Sequence, residues 1–246
     1  MPWLALLCLL LVWSPAAEAV PVTLELALLL DVSGSIDDGE YAQQKAAYVN
    51  AFQDPAIHAL IAALPGGIAV TYIEWSGDVE QSQVLAWTQL TGAASANAFA
   101  SSLNATLRAF SGGATAPGSA LDFAMPLFAS NGFEGTRSVI DISGDGAQNT
   151  GSDTATAAAA ALAGGIRVNG LVVLGEAGVQ DFYQNSIVTP GGGFLIVADG
   201  FDDLEVALNR KLQFEIPGQS PEVPEPGTGL LAIAGLGILL AFRYRG

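Results

Sequence analysis

Apolar residues come in blocks along this chain, and each block has the length and texture of one secondary-structure element. Leu24-Glu25-Leu26-Ala27-Leu28-Leu29-Leu30 is a nearly unbroken apolar run that ends on Asp31. A strand with one wet face alternates apolar and polar residues. A continuous run belongs to a strand buried on both faces, as at the centre of a parallel sheet. Residues 68–75 share this character, and residues 84–90 follow as an edge strand reached by a hairpin around Gly77-Asp78. Residues 138–142, 168–174 and 194–197 read as further strands. Helical stretches lie between them. The first opens at Asp37-Asp38-Gly39-Glu40 and runs to about residue 63, with an irregularity at Asp54-Pro55, and acids at its start suit a helix N-terminus. Others cover residues 95–108, 121–129, 154–163 and 202–214. This alternation predicts an α/β fold: a doubly wound, mostly parallel central sheet with one antiparallel edge strand and helices on both faces.

The two ends read differently. Residues 4–13 form a short apolar core followed by Ser14-Pro15 and then Ala17-Glu18-Ala19, a small-residue cleavage pattern that marks residues 1–19 as a signal peptide. The run is too short to cross a bilayer. Cys8, the only cysteine, falls inside it, so the exported chain would hold no thiol and no disulfide. At the other end a linker, residues 217–226, closes on Pro224-Glu225-Pro226. An apolar, glycine-spaced segment, 230–242, follows and gives way to Arg243-Tyr244-Arg245. Read by hydropathy alone, residues 227–246 make a marginal anchor with its basic end in the cytoplasm. The order of these parts resembles the PEP-CTERM sorting signal of Gram-negative bacteria. That resemblance implies recognition and cleavage by an exosortase-type transpeptidase. It also implies transient anchoring of the helix in the inner membrane, followed by release to the cell surface or beyond. The bland alternative is a stable tail anchor.

Residues 20–216 are enough for one domain with a sizeable core. The whole chain carries a formal charge of −16. Nucleic acid is thereby excluded as a partner, since phosphate binding needs clustered Lys and Arg.

The chemistry concentrates at the ends of the strands. Asp31-Val32-Ser33-Gly34-Ser35 follows the first strand and offers a carboxylate and two hydroxyls at alternate positions. These are hard oxygen donors, suited to Mg²⁺, Ca²⁺ or Mn²⁺ rather than zinc or copper. Alone, the motif fits a capped turn as well as a cation site. Thr115 sits in a Gly112-Gly113-Ala114-Thr115 loop, and Asp145 ends another buried strand between Gly144 and Gly146. Together the three loops resemble the von Willebrand factor type A domain with its metal-ion-dependent adhesion site, over residues 23 to about 214. By that resemblance Ser33 and Ser35 would bind Mg²⁺ or Mn²⁺ directly, and Asp31 mainly through water. Thr115 would bind in a state-dependent way, and Asp145 from the outer shell. An open coordination position would then take an acidic group from a protein partner. In that family the second aspartate usually follows a threonine, whereas here it follows Gly144. Tyr72-Ile73-Glu74-Trp75-Ser76, residues 139–146 and Val197-Ala198-Asp199-Gly200-Phe201 resemble a bacterial subfamily of uncharacterised function.

Other polar residues invite plainer readings. Asp141 lies four residues before Asp145, about 13 Å away along a strand at about 3.3 Å per residue, which makes it a mid-strand acid held by hydrogen bonds. Trp75 suits a packed aromatic beside Glu74, and the lone His58 a structural histidine. Asn104-Ala105-Thr106 has the glycosylation pattern, which carries little weight beside a bacterial sorting tail.

The enzyme classes fit poorly. A phosphotransferase of the dehalogenase type would need an acid where Ser33 stands. A P-loop needs a lysine that the Gly112-Gly113 loop lacks, and a serine hydrolase needs a histidine base. The expectation is therefore a non-enzymatic, exported binding module of the metal-dependent adhesion type. The alternative is a structural matrix protein whose metal only stabilises the fold.

Overall fold

The computed structural model describes residues 18–221. The signal peptide expected over 1–19 and the Pro-Glu-Pro motif and apolar tail expected up to residue 246 lie wholly or almost wholly outside the described residues. The elements run in the order β1 (Val20–Val22), β2 (Leu24–Asp31), α1 (Asp38–Gln53), α2 (Pro55–Ala62), β3 (Ile68–Trp75), β4 (Gln81–Leu90) and α3 (Ala93–Ala105). They continue with α4 (Pro117–Ala124), β5 (Phe133–Gly135), β6 (Ser138–Gly144), α5 (Thr154–Ala163), β7 (Ile166–Val173), α6 (Val179–Phe182), β8 (Leu195–Ala198) and α7 (Leu204–Glu215).

Six strands form one sheet in the order β4-β3-β2-β6-β7-β8. Only β3 and β4 pair antiparallel, so the expected parallel sheet with one antiparallel edge is the one observed. Every residue of β2 and β3 is buried, as continuous apolar runs demand. Helices α1, α2, α3 and α7 pack on one face. Helices α4, α5 and α6 cover the other around a second core built on Leu29, Ile73, Trp75 and Ile140.

The topology explains where a site can form. The chain leaves β2 toward β3 and β4 on one side, then crosses back to β6, β7 and β8 on the other. The carboxyl ends of β2 and β6 therefore flank the switch point of the sheet, the crevice where open α/β folds bind ligands.

Local differences from expectation have local causes. The first helix breaks in two because Asp54 ends α1 and starts α2, accepting a hydrogen bond from Ala56 N ahead of Pro55 at the first helical position. Helix α4 starts at Pro117, four residues earlier than expected, again with proline at the first helical position. Helix α3 stops at Ala105 and frees Arg108 for the site described below. Strands β1 and β5 form a small parallel pair of three residues each, too short to show a period. Helix α6 and the π-turn Tyr183–Ile187 supply the crossover between β7 and β8 that sequence reading leaves blank.

Candidate functional site

The turn after β2 is built by its own polar groups. Asp31 Oδ1 accepts from Ser33 N at 2.8 Å, an Asx-type turn that brings both serine hydroxyls to the sheet edge, 3.3 Å apart. Ser35 Oγ donates to Asp145 Oδ1 at 2.7 Å, joining the β2 and β6 loops. Thr115 Oγ1 lies 3.5 Å from Ser33 Oγ. The structure thus brings Asp31, Ser33, Ser35, Thr115 and Asp145 into one cluster of oxygen atoms at the switch point. Asp31, Ser33 and Thr115 are buried, Asp145 is half-buried and Ser35 faces solvent.

Several neighbours hold this cluster in place. Thr115 N donates to Asn149 Oδ1, and Asn149 N returns a bond to Thr115 O. Gly34 N donates to Gly113 O, an approach so close that a Cβ on Gly34 would stand 2.8 Å from that oxygen. Arg108 spans the back of the turn, donating to Val32 O and Ile36 O and pairing with Asp38. Glu176 accepts from Ala147 N just beyond Asp145.

One atom in the cluster has no partner. Asp31 Oδ2 is buried without a hydrogen bond. A buried carboxylate oxygen left unpaired is costly, and nature meets that cost with a proton or a cation. Burial pushes Asp31 up to about 7, helped by the Asp145 charge and opposed by its bonds from Ser33 and by Arg108. Burial also raises Asp145. Among the described residues no three His, Cys, Asp or Glu side chains converge as a metal cage. Any ion held here would depend on hydroxyls, and the donors present are hard oxygens. The residues therefore fit a divalent cation held through oxygen.

The shift on Asp31 has a sign that can be tested. Its folded value lies above its unfolded value of 3.8, so the fold binds this proton more tightly than the unfolded chain does. Without divalent ions, the contribution of this group is present below about pH 4 and is lost as pH rises toward 7. In chelator, the thermal midpoint of the wild type is expected to fall from pH 5 to pH 7.5 by more than that of Asp31→Asn. Parallel curves would show that Asp31 is not the group responsible.

Gly144 is explained by what surrounds it. A Cβ there would stand 2.5 Å from Tyr183 Oη, 2.6 Å from Asp31 Oδ2 and 2.9 Å from Asp31 Cβ. Tyr183 comes from the π-turn after α6, is buried, and its hydroxyl has no hydrogen-bond partner. It fills the volume beneath the site that a larger residue at 144 would need. Sequence reading misses both Tyr183 and Arg108. Tyr183 lies in a crossover with no periodic signature, and Arg108 continues a helical pattern that the chain abandons at Ala105.

The remaining polar candidates lie apart from the cluster. Glu74 is buried and satisfied by Tyr41 Oη and Ala109 N, while Trp75 packs in the second core. His58 binds the Phe52 carbonyl, as a structural histidine should. Asp141 is a buried mid-strand acid, but it is held by Lys211, 2.6 Å away, rather than by well-formed hydrogen bonds.

Residues 21–220 match the family described as protein of unknown function (DUF1194), and residues 222–245 match the PEP-CTERM protein-sorting motif. No curated protein matches the chain. Among solved structures it is similar to proximal thread matrix protein 1 from the mussel byssus, with a TM-score of 0.60 and 16% identity, over 80% of this chain and 48% of that one. One structure of that mussel protein, at TM-score 0.59 and 13% identity over 82% and 47% of the two chains, has a zinc-occupied MIDAS motif. A von Willebrand factor type A protein from Catenulispora acidiphila matches at TM-score 0.56 and 15% identity, over 82% of this chain and 43% of that one. This chain thus spans about half or less of the length of those proteins, and at such identities the likeness is one of fold. The chain belongs to the DUF1194 family, on a von Willebrand factor A-like fold, and carries a PEP-CTERM sorting motif at its C-terminus.

Proposed function

We propose that this protein is an exported, non-enzymatic binding module that grips a protein partner through a Mg²⁺ or Mn²⁺ ion. Asp31, Ser33, Ser35, Thr115 and Asp145 are the residues that hold the ion. The observation that carries this reading is the convergence of those five side chains at the switch point, around a buried Asp31 oxygen that nothing else satisfies. Mg²⁺ keeps part of its water shell and needs few protein ligands, which suits a cluster of hydroxyls with two carboxylates. A bound divalent cation supplies an electrophilic centre that can take a partner's carboxylate in place of water.

The chain's own residues support recognition more than catalysis. Asx-turn geometry presents the two serine hydroxyls, Arg108 fixes the turn from behind, and Asn149 fixes Thr115. The single histidine is engaged with a backbone carbonyl and leaves the serines without a base. Val79 and Leu107, 88% and 86% exposed, stand in loops beside Gly77 and Arg108 at the same edge and offer an apolar rim to a protein surface.

The division of labour along the chain follows. Residues 1–19 direct export, 20–216 form the binding module, 217–226 form the linker with the Pro-Glu-Pro motif, and 227–246 form the sorting helix and basic tail. An exosortase-type transpeptidase processes that tail after transient anchoring in the inner membrane, leaving the module at the cell surface or outside the cell. Among the described residues no helix is long and apolar enough to cross a membrane, so membrane passage in this reading rests on the tail.

The test is affinity capture from the envelope of producing cells, in Mg²⁺ and in chelator, with wild type and Asp145→Ala. A partner retained only by wild type in Mg²⁺ is the expected result. A metal-stabilised protein that captures nothing would favour the structural-matrix reading. A partner retained equally in every arm would refute metal-dependent binding.

A further inference from the structure

A second polar cluster lies away from the sheet edge, between the middle of the sheet and α7. Asp141 stands in the middle of β6, flanked in register by Leu28 of β2 and Asn169 of β7. Helix α7 lays Lys211 and Glu215, one turn apart, across it. Asp141 and Lys211 are fully buried and Glu215 is 2% exposed. Lys211 Nζ lies 2.6 Å from Asp141 Oδ1 and 3.1 Å from Glu215 Oε1. Asn169 Nδ2 donates to the same Glu215 oxygen at 2.6 Å, and the Phe194 ring centre is 5.5 Å from the lysine nitrogen.

Two features set this cluster apart from an ordinary buried ion pair. One amine faces two carboxyl groups, so three ionised groups could not neutralise one another in a site without solvent. Lys211 Nζ also lies 2.6 Å from Asp141 Oδ1 without making a well-formed hydrogen bond to it. An amine, a carboxyl group and a neighbouring acid, packed together and dry, are the reactants and proton carrier for making an amide.

We propose that Lys211 and Asp141 condense into an intramolecular isopeptide bond, with Glu215 as the proton carrier. Lys211 reacts as the free amine and Asp141 as the carboxylic acid. The Nζ lone pair forms a bond to Cγ of Asp141, and Glu215 accepts the proton that Nζ gives up. The Cγ–OH bond then breaks. The hydroxyl leaves as water with the proton returned by Glu215, and nothing is oxidised or reduced. Burial and the neighbouring Glu215 charge push Asp141 up to about 8, which keeps it in the acid form that this step requires. Amide formation is unfavourable between free reactants in water. Fixed contact lowers the barrier, since well-oriented intramolecular partners reach effective molarities of roughly 10⁵–10⁸ M. Expulsion of the water into bulk solvent favours the amide, which leaves neither an ionisable amine nor an ionisable carboxyl group at these two buried positions.

The bond would join α7, the last helix among the described residues, to β6, the strand that leads into Asp145. If the proposed surface attachment is right, tension on the C-terminus could not peel α7 from the sheet. The bond itself does not depend on that attachment or on any metal.

Mass spectrometry of the exported chain in denaturant, with identification of both chain ends, tests the proposal. The expected wild-type mass is one water lighter than its sequence. A tryptic digest should then yield a branched peptide joining Lys211 to Asp141, with no cleavage after Lys211. Glu215→Gln and Lys211→Arg are expected at full mass. The wild-type reading stands alone if either variant fails to fold. A wild type at full mass, fresh and after prolonged incubation, would overturn the proposal. So would loss of ammonia, which would place the bond on Asn169.

Discussion

Gly144→Thr, which installs the residue that von Willebrand factor A-like domains usually carry before the second aspartate, is expected to destabilise this protein. A Cβ at 144 would lie 2.5 Å from Tyr183 Oη and 2.9 Å from Asp31 Cβ. Cβ atoms essentially never approach other heavy atoms to under 3.0 Å, so two buried side chains or the strands themselves must give way. Overpacking of this kind costs about 1–3 kcal/mol, and the extra atoms of threonine put this variant at the upper end. For a domain of this size that lowers the thermal midpoint by roughly 6–12 °C. Tyr183→Phe removes the nearest obstacle and should recover part of the loss, so the double variant will lose less than the sum of the singles. A Gly144→Thr protein that melts with the wild type would show that Tyr183 does not fill this space. Chemical denaturation of the four proteins measures the coupling.

How far this could be read in the sequence depended on the range of the interactions involved. The buried strands β2 and β3 are legible because a strand covered on both faces must be apolar at every position, and 68–75 is the span observed for β3. The turn Asp31-Val32-Ser33-Gly34-Ser35 is legible because its first hydrogen bond spans two residues. Thr115 and Asp145 could be set beside it only through the order of strands, and the structure brings their oxygens within 3.5 Å of the two serines. What supports them is not local. Tyr183 reaches Gly144 from a π-turn, and Arg108 leaves its helix to bind carbonyls at Val32 and Ile36. The partner of Asp141 lies on the last helix, and neither strand nor helix periodicity connects position 141 to position 211. A buried lysine in an otherwise amphipathic helix is indistinguishable in sequence from an exposed one.

The Gly144 departure also changes meaning once the volume is visible. By the resemblance alone it suggests a loss from the outer part of the site. In the fold it marks a substitution of one side chain by another from a different element, with the Tyr183 hydroxyl crowding the place of a β-branched side chain. The two acids of the cluster are kept close by Ser35, which donates to Asp145 while Asp31 closes its own turn.

The most direct effect on function is expected from the cluster itself. Asp31→Asn with Ser33→Ala removes one carboxylate charge and one hydroxyl and is expected to abolish binding of a divalent ion. Both changes are close to isosteric, and Asp31→Asn also removes a buried charge, so the apo fold should not suffer. An ion that binds only the folded chain stabilises it by about 2.7 kcal/mol at a hundredfold excess over its dissociation constant. That is roughly 5–11 °C in a domain of this size. The deciding measurement is calorimetric titration of Mg²⁺ and Mn²⁺ into the chelator-treated full-length protein, wild type and double variant side by side. One ion bound per wild-type chain, with none bound by the variant, is the predicted result. A wild type that binds no divalent ion, or a variant that binds it as well as the wild type does, would contradict it.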